Sequence, residues 1–419
     1  MPSDPPNLAA QTVMDRCATL GGFSEEPDRL TRRYGTPPMR QVNDTVAAWM
    51  AAAGMVVRQD AIGNVIGRYE ADGPDARTLL LGSHLDTVRD AGRYDGPLGV
   101  MVALACVERL HADGKRLPYA LEVYGFADEE GLRYHSGYLG SSVVAGAFDP
   151  AMLTATDADG VSLAEAIRAF GGDPDALAAA RRARDDLLGY LEVHIEQGPV
   201  LEAHDWPLGF VTAIQGQTRI AITFGGHAGH AGTVPMRLRH DALTGAAEFI
   251  TVAEHLAGER AETVATTGQL QVEPGASNVI PGRVTLTLEV RNPDDDARED
   301  ACRALEAHAR EIAARRGLSV DWQTRGATAS VRCDPHLMRL LEWALEGNGQ
   351  RPVSLPSGAG HDAVPMSTLA PVAMLFVRCA GGISHHPAES VMVEDVAAAL
   401  AATERFLSLL ADEERGRLP

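Results

Sequence analysis

Cysteine is sparse in this chain, and what there is forms no pattern. The five thiols (Cys17, Cys106, Cys302, Cys333, Cys379) are scattered, odd in number and nowhere spaced as C-x-x-C. They read as reduced, mostly buried groups of a cytoplasmic protein, so any metal must be held by histidine and carboxylate. Basic residues are in deficit: 37 Lys plus Arg against 57 Asp plus Glu give a formal net charge of −20. That balance argues against nucleic acid or an anionic membrane as partner, since either needs a basic face. A small anionic substrate stays open, because a few placed Arg or His can overcome the global field locally. Long apolar runs are missing too; segments such as 100–107 are far too short to span a bilayer. The opening Met-Pro-Ser-Asp-Pro-Pro-Asn has neither the basic nor the apolar region of a secretory signal, which again leads to the expectation of a cytoplasmic protein.

What is present is ordinary globular composition, 45% hydrophobic and 22% charged, in a 419-residue chain too long for one simple core. Two domains are expected. The first part alternates helices with buried strands. Residues 41–53 have helical periodicity and stop at Gly54, a fitting C-terminal residue. Strands are expected at 78–81 and 120–127, with a helix at 98–111 between them. Residues 191–196 alternate Leu, Val and Ile with Glu, His and Glu, the pattern of a half-buried strand. Such alternation implies an α/β sheet whose ligands lie beyond the strand C-terminal ends. The middle reads differently: strand 219–224, helix 235–256, strands 263–272 and 283–290, helix 294–316 closed near Gly317, and strand 318–324. This βαββαβ order is that of a ferredoxin-like sandwich. The α/β pattern then resumes with a strand at 371–377 and a helix at 394–410. The expected division is a mixed-sheet α/β catalytic domain of residues 1–213 and 328–419, interrupted by an inserted α+β domain of residues 214–327. Asp157-Ala-Asp-Gly160 is too short for a calcium loop and reads as a turn.

Chemistry-bearing residues gather at the expected strand ends. In Gly82-Ser-His-Leu-Asp-Thr-Val88, His84 and Asp86 leave a strand with their side chains on one face, because strand residues two apart point together. Asp95 follows in the glycine-rich Gly92-Arg-Tyr-Asp-Gly-Pro-Leu-Gly99. Glu129 and Glu130 stand side by side after a buried strand, where one can bind a metal while its neighbour works as a base. His194 lies in Glu192-Val-His-Ile-Glu-Gln-Gly198, and His385 in Ser384-His-His-Pro387. Singly, a histidine at a strand end is more often structural and adjacent acids more often a solvated turn. Together, at successive strand ends, three imidazoles and two carboxylates make a site suited to Zn, Mn, Co or Ni.

In kind and order these segments resemble those of the N-carbamoyl-L-amino-acid amidohydrolases and allantoate amidohydrolases, a branch of the dinuclear carboxypeptidase-like metallopeptidase superfamily. The matching stretches are Gly-Ser-His-Leu-Asp-Thr, Gly-Arg-Tyr-Asp-Gly, Asp-Glu-Glu-Gly, His-Ile-Glu-Gln-Gly-Pro, His-Ala-Gly-Thr, Asn-Val-Ile-Pro, Ser-Gly-Ala-Gly-His-Asp and Gly-Ile-Ser-His-His-Pro, spread from residue 82 to residue 387. The resemblance implies two divalent metal ions per subunit, Zn or else Mn, Co or Ni. His84, Asp95 and His194 would hold one, Asp95, Glu130 and His385 the other, with Asp95 bridging and His385 rather than His386 as ligand. Glu129 is then the base, and Asp86 fixes the orientation of His84. His194 places the chain on the carbamoyl-hydrolysing side, since the peptidase branch has a carboxylate there.

In the inserted domain the resemblance implies that His230, Asn278 and Arg291 grip the substrate carboxylate and polarise the scissile carbonyl, the histidine coming from the partner subunit of a homodimer. Arg offers a forked donor pair suited to a carboxylate. Gln197, Gln217, Gly360 and His361 are further candidates for substrate contact. One departure is Gly229, where the family commonly has Asn. The implied activity is cleavage of the carbamoyl C–N bond of an N-carbamoyl-L-amino acid or similar ureido acid, giving amine, ammonia and carbon dioxide. Allantoate is the alternative substrate; an aminoacylase or dipeptidase is the third reading, and His194 argues against it. The inserted domain would serve as lid and dimerisation domain.

Overall fold

The computed structural model describes residues 6–417, and the readings made at residues 1–5 and 418–419 lie outside them. The chain forms two compact units. One takes in the residues up to Thr212, Cys333–Leu355 and the chain from Gly360 onward; the other is Ala213–Arg332 with Pro356–Ala359.

The first unit is built on a mixed sheet. Its central strands Thr78–His84, Ala120–Phe126, Leu187–Ile195 and Val372–Val377 pair in parallel. Val65–Tyr69 and Val56–Gln59 extend it antiparallel on one side, and Leu208–Ile214 on the other. Parallel strands are covered on both faces, which is why Thr78–His84, Ala120–Phe126 and Val372–Val377 are buried along their whole length. On one face Leu79, Leu81, Val123, Val193 and Leu375 share a core with the helices Pro97–Ala112, Pro335–Gly347 and Val393–Glu414. The alternate positions carry Glu122, Tyr124, Tyr190, Glu192 and His194, and these are buried too. The strand expected at 191–196 therefore begins at Leu187 and is not half-buried. Its polar side is covered by the short helix Ala363–Met366, whose first amide donates to Glu192 Oε2 at 3.0 Å. Parallel pairing brings the C-terminal ends at His84, Phe126, Ile195 and Val377 to one edge, where the loops that follow can meet.

The second unit has the element order βαββαβ around an antiparallel sheet. Across it run Leu270–Glu273, Arg283–Asn292, Gly216–Gly225 and Ser319–Thr328. The helices Ala242–Glu259 and Asp295–Arg316 pack on one face, where Phe249, Leu305 and Ile312 meet Ile220, Phe224 and Leu288. Two elements differ from expectation. The helix expected from residue 235 starts at Ala242, because the Asp241 side chain accepts from the Leu243 and Thr244 amides and caps it. Met236 and Leu238 lie exposed on a single 3-10 turn upstream. The strand expected at 263–272 splits into Val264–Thr266 and Leu270–Glu273, both paired with Arg283–Asn292. Thr266 opposes Glu289 and Leu270 opposes Leu286, so one extra residue sits between the segments, as in a β-bulge.

Candidate metal centre

The site starts from two imidazoles at neighbouring strand ends. His84 and His194 are both buried, with ring centroids 5.7 Å apart. His84 Nδ1 lies 3.2 Å from the Asp86 carbonyl oxygen, and His194 Nδ1 lies 2.9 Å from that of Ile195. A carbonyl oxygen only accepts, so Nδ1 carries the proton in each ring and Nε2 is left with a free lone pair. Both lone pairs face Asp95 Oδ1, at 3.7 Å from His84 and 3.2 Å from His194. A lone pair facing a carboxylate oxygen needs a positive species between them, a proton or a metal ion. Asp95 Oδ1 itself is buried and has no hydrogen-bond partner among the described residues.

The other oxygen of Asp95 faces a second set. Oδ2 lies 3.2 Å from His385 Nε2, and that nitrogen lies 3.5 Å from Glu130 Oε1. Ser384 Oγ and Gln197 Nε2 donate to the same oxygen at 2.7 and 2.8 Å. His84, Asp95 and His194 form one group whose donor atoms all lie within 4.8 Å of one another; Asp95, Glu130 and His385 form another, His84, Glu129 and Glu130 a third, and Glu192, His194 and His361 a fourth. Nitrogen from imidazole and oxygen from carboxylate, with one carboxylate shared, is a donor set that fits borderline divalent cations.

Backbone geometry holds the carboxylates in place. Asp95 sits in a turn completed by Gly96 at φ 84°, and a Cβ there would lie 2.6 Å from the His84 ring, so only glycine can make the turn. The helix Pro97–Ala112 begins immediately after, with proline in its first turn. The amides of Tyr94 and Asp95 both donate to Glu389 Oε1, at 2.7 and 3.2 Å. Across the site the amides of Glu129 and Glu130 donate to Asp86, one to each oxygen, at 2.9 and 3.1 Å. Asp86 was expected to orient His84, yet its carboxylate reaches His84 Nδ1 only at 3.5 Å. Its shorter bonds go to the glutamate loop, so it ties the His84 strand end to Glu129 and Glu130. Asp128, Gln197 and His385, all with φ near +57°, adopt a left-handed conformation that is unusual outside glycine and concentrated here.

Crowding of acids sets the electrostatics. Burial pushes the Glu129 carboxyl well above the usual range; His84 opposes this, and Glu130, Asp362 and Asp86 add to it. Glu130 is raised to about 7 by burial and Asp95, with His84 opposing. Burial also works against the Asp95 carboxylate, but the facing imidazoles of His194, His385 and His84 outweigh it and hold Asp95 well below the usual range. For His84 burial favours the neutral ring, and Asp86 and Asp95 more than reverse that. A buried pocket with Asp86, Asp95, Glu129 and Glu130 together is stabilised by added positive charge.

The remaining expected site residues fall into two groups. In the first unit, Gln197 touches Asp95 and Ser384, so it bears on the ligand set directly. His361 is buried with its ring 4.5 Å from that of His194, edge to face, and it joins Glu192 and His194 in the fourth donor group. Gly360 makes room: a Cβ there would come within 1.8 Å of the Tyr138 hydroxyl. In the second unit, Val279–Ile280 pairs with Gly229–His230, and the Ala231 amide donates to the Asn278 carbonyl at 3.0 Å, which brings His230 and Asn278 together. Gln217 and Arg291 are cross-strand partners. Sequence reasoning missed Glu389, Glu192, Asp128 and Tyr138. Only Glu389 carried a signal, an acid four residues behind His385, and a weak one.

The sequence profile of Peptidase family M20/M25/M40 matches residues 80–409, a span that contains every residue of the four donor groups. The chain belongs to this family. M20 proteins are metal-dependent, in keeping with the donor groups above. Among curated relatives, an N-carbamoyl-L-amino acid amidohydrolase of Geobacillus stearothermophilus is 40% identical over 93% of this chain and 96% of its own length. An allantoate deiminase of Arabidopsis thaliana is 39% identical over 94% of this chain and 81% of its own. A solved structure of a hydantoinase/carbamoylase-family amidase from Burkholderia multivorans superposes with a TM-score of 0.89 at 32% identity, covering 95% of this chain and 97% of that one.

Proposed function

We propose that this M20-family protein is a metal-dependent amidohydrolase that cleaves the carbamoyl C–N bond of an N-carbamoyl-L-amino acid or similar ureido acid, releasing amine, ammonia and carbon dioxide. The observation that carries the reading is the shared carboxylate: Asp95 turns one oxygen to His84 and His194 and the other to His385, with Glu129 and Glu130 beside them. Relatives named for N-carbamoyl-L-amino acids and for allantoate support the substrate class. Allantoate is the alternative within that class.

Two divalent ions per subunit, Zn or else Mn, Co or Ni, would be held by His84, Asp95 and His194 and by Asp95, Glu130 and His385. When bound they supply Lewis-acid polarisation of the carbonyl and a lowered pKa for the attacking water. Glu129, raised by burial, takes the proton from that water and passes it to the leaving nitrogen. His230 Nδ1 accepts from the Gly232 amide at 3.0 Å, so its proton is on Nε2, the tautomer that donates to a developing oxyanion. Arg291 and Asn278 take the substrate carboxylate. We assign the inserted unit of residues 214–327 the role of lid and dimerisation domain, with His230 acting across a homodimer. A cytoplasmic location is supported by five free cysteines, four of them buried. No helix among the described residues is long and apolar enough to cross a membrane.

Ammonia release by metal-reconstituted protein tests this. The panel holds several N-carbamoyl-L-amino acids, N-carbamoyl-β-alanine, allantoate and an N-acetyl amino acid, with Glu129→Gln as control. Turnover of a ureido acid, lost in the variant, is expected. Silence on every ureido compound would overturn the reading, and release of free amino acid from the N-acetyl compound alone would move the protein to the acylase side.

A further inference from the structure

The face of the five-stranded sheet turned away from its helices carries a groove of about 760 Å³. Its floor is a square of cross-strand neighbours on one face, because Glu289 pairs with Arg219 and Arg291 with Gln217. Arg291 donates through Nε to Glu289 Oε1 at 2.7 Å, pairs through Nη2 with the same oxygen at 2.5 Å, and bonds through Nη1 to the Gly358 carbonyl. That fixes the guanidinium and leaves one N–H on each terminal nitrogen, the pair a carboxylate takes. Arg219 donates through Nε to the other oxygen of Glu289 at 3.0 Å, keeping its terminal nitrogens largely available.

Arg325 also lines the groove, and it gets there by an irregularity. Between Thr324 and Gly326 the register of Ser319–Thr328 against Gly216–Gly225 shifts, with Thr324 opposite Ile220 and Gly326 opposite Arg219. Arg325 is the extra residue of this bulge, a device that re-aims a side chain at a strand edge. Among the described residues no carboxylate pairs with it. The groove thus sets three arginines against the single carboxylate of Glu289, in a chain whose net charge is −20. Glu289 neutralises one of them. With one carboxylate on Arg291, positive charge remains for a second.

We propose that this groove selects substrates with a second acidic group: a ureido acid whose α-carboxylate takes Arg291 presents a side-chain carboxylate to Arg325 and Arg219, so the substrate class is the N-carbamoyl derivatives of acidic amino acids. The inference rests on the ureido-acid reading above. Arg291 and Arg325 lie two strands apart, about 10 Å laterally at ordinary strand spacing, within the combined reach of two arginines and a short diacid.

The test compares substrates that differ in charge alone. Metal-loaded protein is assayed for amino-acid release from N-carbamoyl-L-glutamate against N-carbamoyl-L-glutamine, and from the aspartate and asparagine pair, for the natural chain, Arg325→Gln and Arg219→Gln. The natural chain is expected to favour the acid by about tenfold in kcat/KM, the worth of one charge-assisted contact at a partly exposed site. The ratio should fall toward one in Arg325→Gln and shrink with added salt. Turnover of the amides with no preference for the acids, or a preference untouched in Arg325→Gln, would overturn this inference and leave the ureido-acid reading standing. Silence on acids and amides alike, with none of the other ureido compounds turned over, would overturn both.

Discussion

Replacing Asp86 with asparagine changes almost no volume, yet it should cost most of the metal affinity. In the natural protein each carboxylate oxygen accepts one amide, Glu129 N at 2.9 Å and Glu130 N at 3.1 Å, and the side chain is buried. Asparagine keeps one acceptor and turns an NH₂ group toward the other amide, so one buried N–H meets a donor. An unsatisfied buried donor costs about 1–3 kcal/mol, and loss of a charged acceptor on the other bond adds to it. The glutamate loop can escape the conflict only by moving, which displaces Glu130 from His385 and Glu129 from the reacting water. Comparable changes behind metal ligands cost roughly 10–100-fold in affinity or activity. Competition for zinc or cobalt against a chromophoric chelator reads the affinity, and kcat on the best ureido acid reads the base. Glu389→Gln is the internal comparison: a single oxygen, Oε1, accepts both the Tyr94 and Asp95 amides, and a glutamine carbonyl can repeat that. It should stay within about threefold of the natural protein. If Asp86→Asn retained metal affinity within twofold, or Glu389→Gln proved the more damaging, the assignment of Asp86 as the pin of the glutamate loop would be wrong.

Glu129→Gln should lower kcat by about 10²–10⁴-fold while metal content, measured by elemental analysis, stays near that of the natural protein, because the change removes a proton acceptor and no proposed ligand. Metal removal by a chelator should abolish activity and lower Tm; restoring the ion at a hundred times its Kd should return about 2.7 kcal/mol of stability, seen as a recovered Tm. Gly96→Ala should destabilise by roughly 1–3 kcal/mol in urea unfolding and weaken metal binding as well, since the new methyl group meets the His84 ring; an unchanged midpoint would contradict the positive φ of 84° at this turn.

Much of the arrangement is legible in the order of residues. Parallel strands buried on both faces must be written as apolar runs, so Thr78–His84 and Val372–Val377 announce themselves, and local rules then place histidine or acid at or just beyond the strand ends. The alternation at 191–196 was legible as a strand but misleading about burial, because hydrophobic period describes one chain segment and says nothing of what later covers its polar side. Helix starts behaved the same way: the helix expected from residue 235 begins only at Ala242, where the cap at Asp241 sets the boundary.

What only the tertiary structure decided is how the acids divide their work. Asp95 meets Ser384 and Glu389 from nearly three hundred residues away along the chain. Asp86 bonds the amides of Glu129 and Glu130 across two parallel strands, and Gly360 exists to admit the hydroxyl of Tyr138. Residue type and spacing fix which groups can bind a cation or carry a proton. The direction of each lone pair depends on hydrogen bonds that form only when distant loops converge at one sheet edge, and no local preference encodes them.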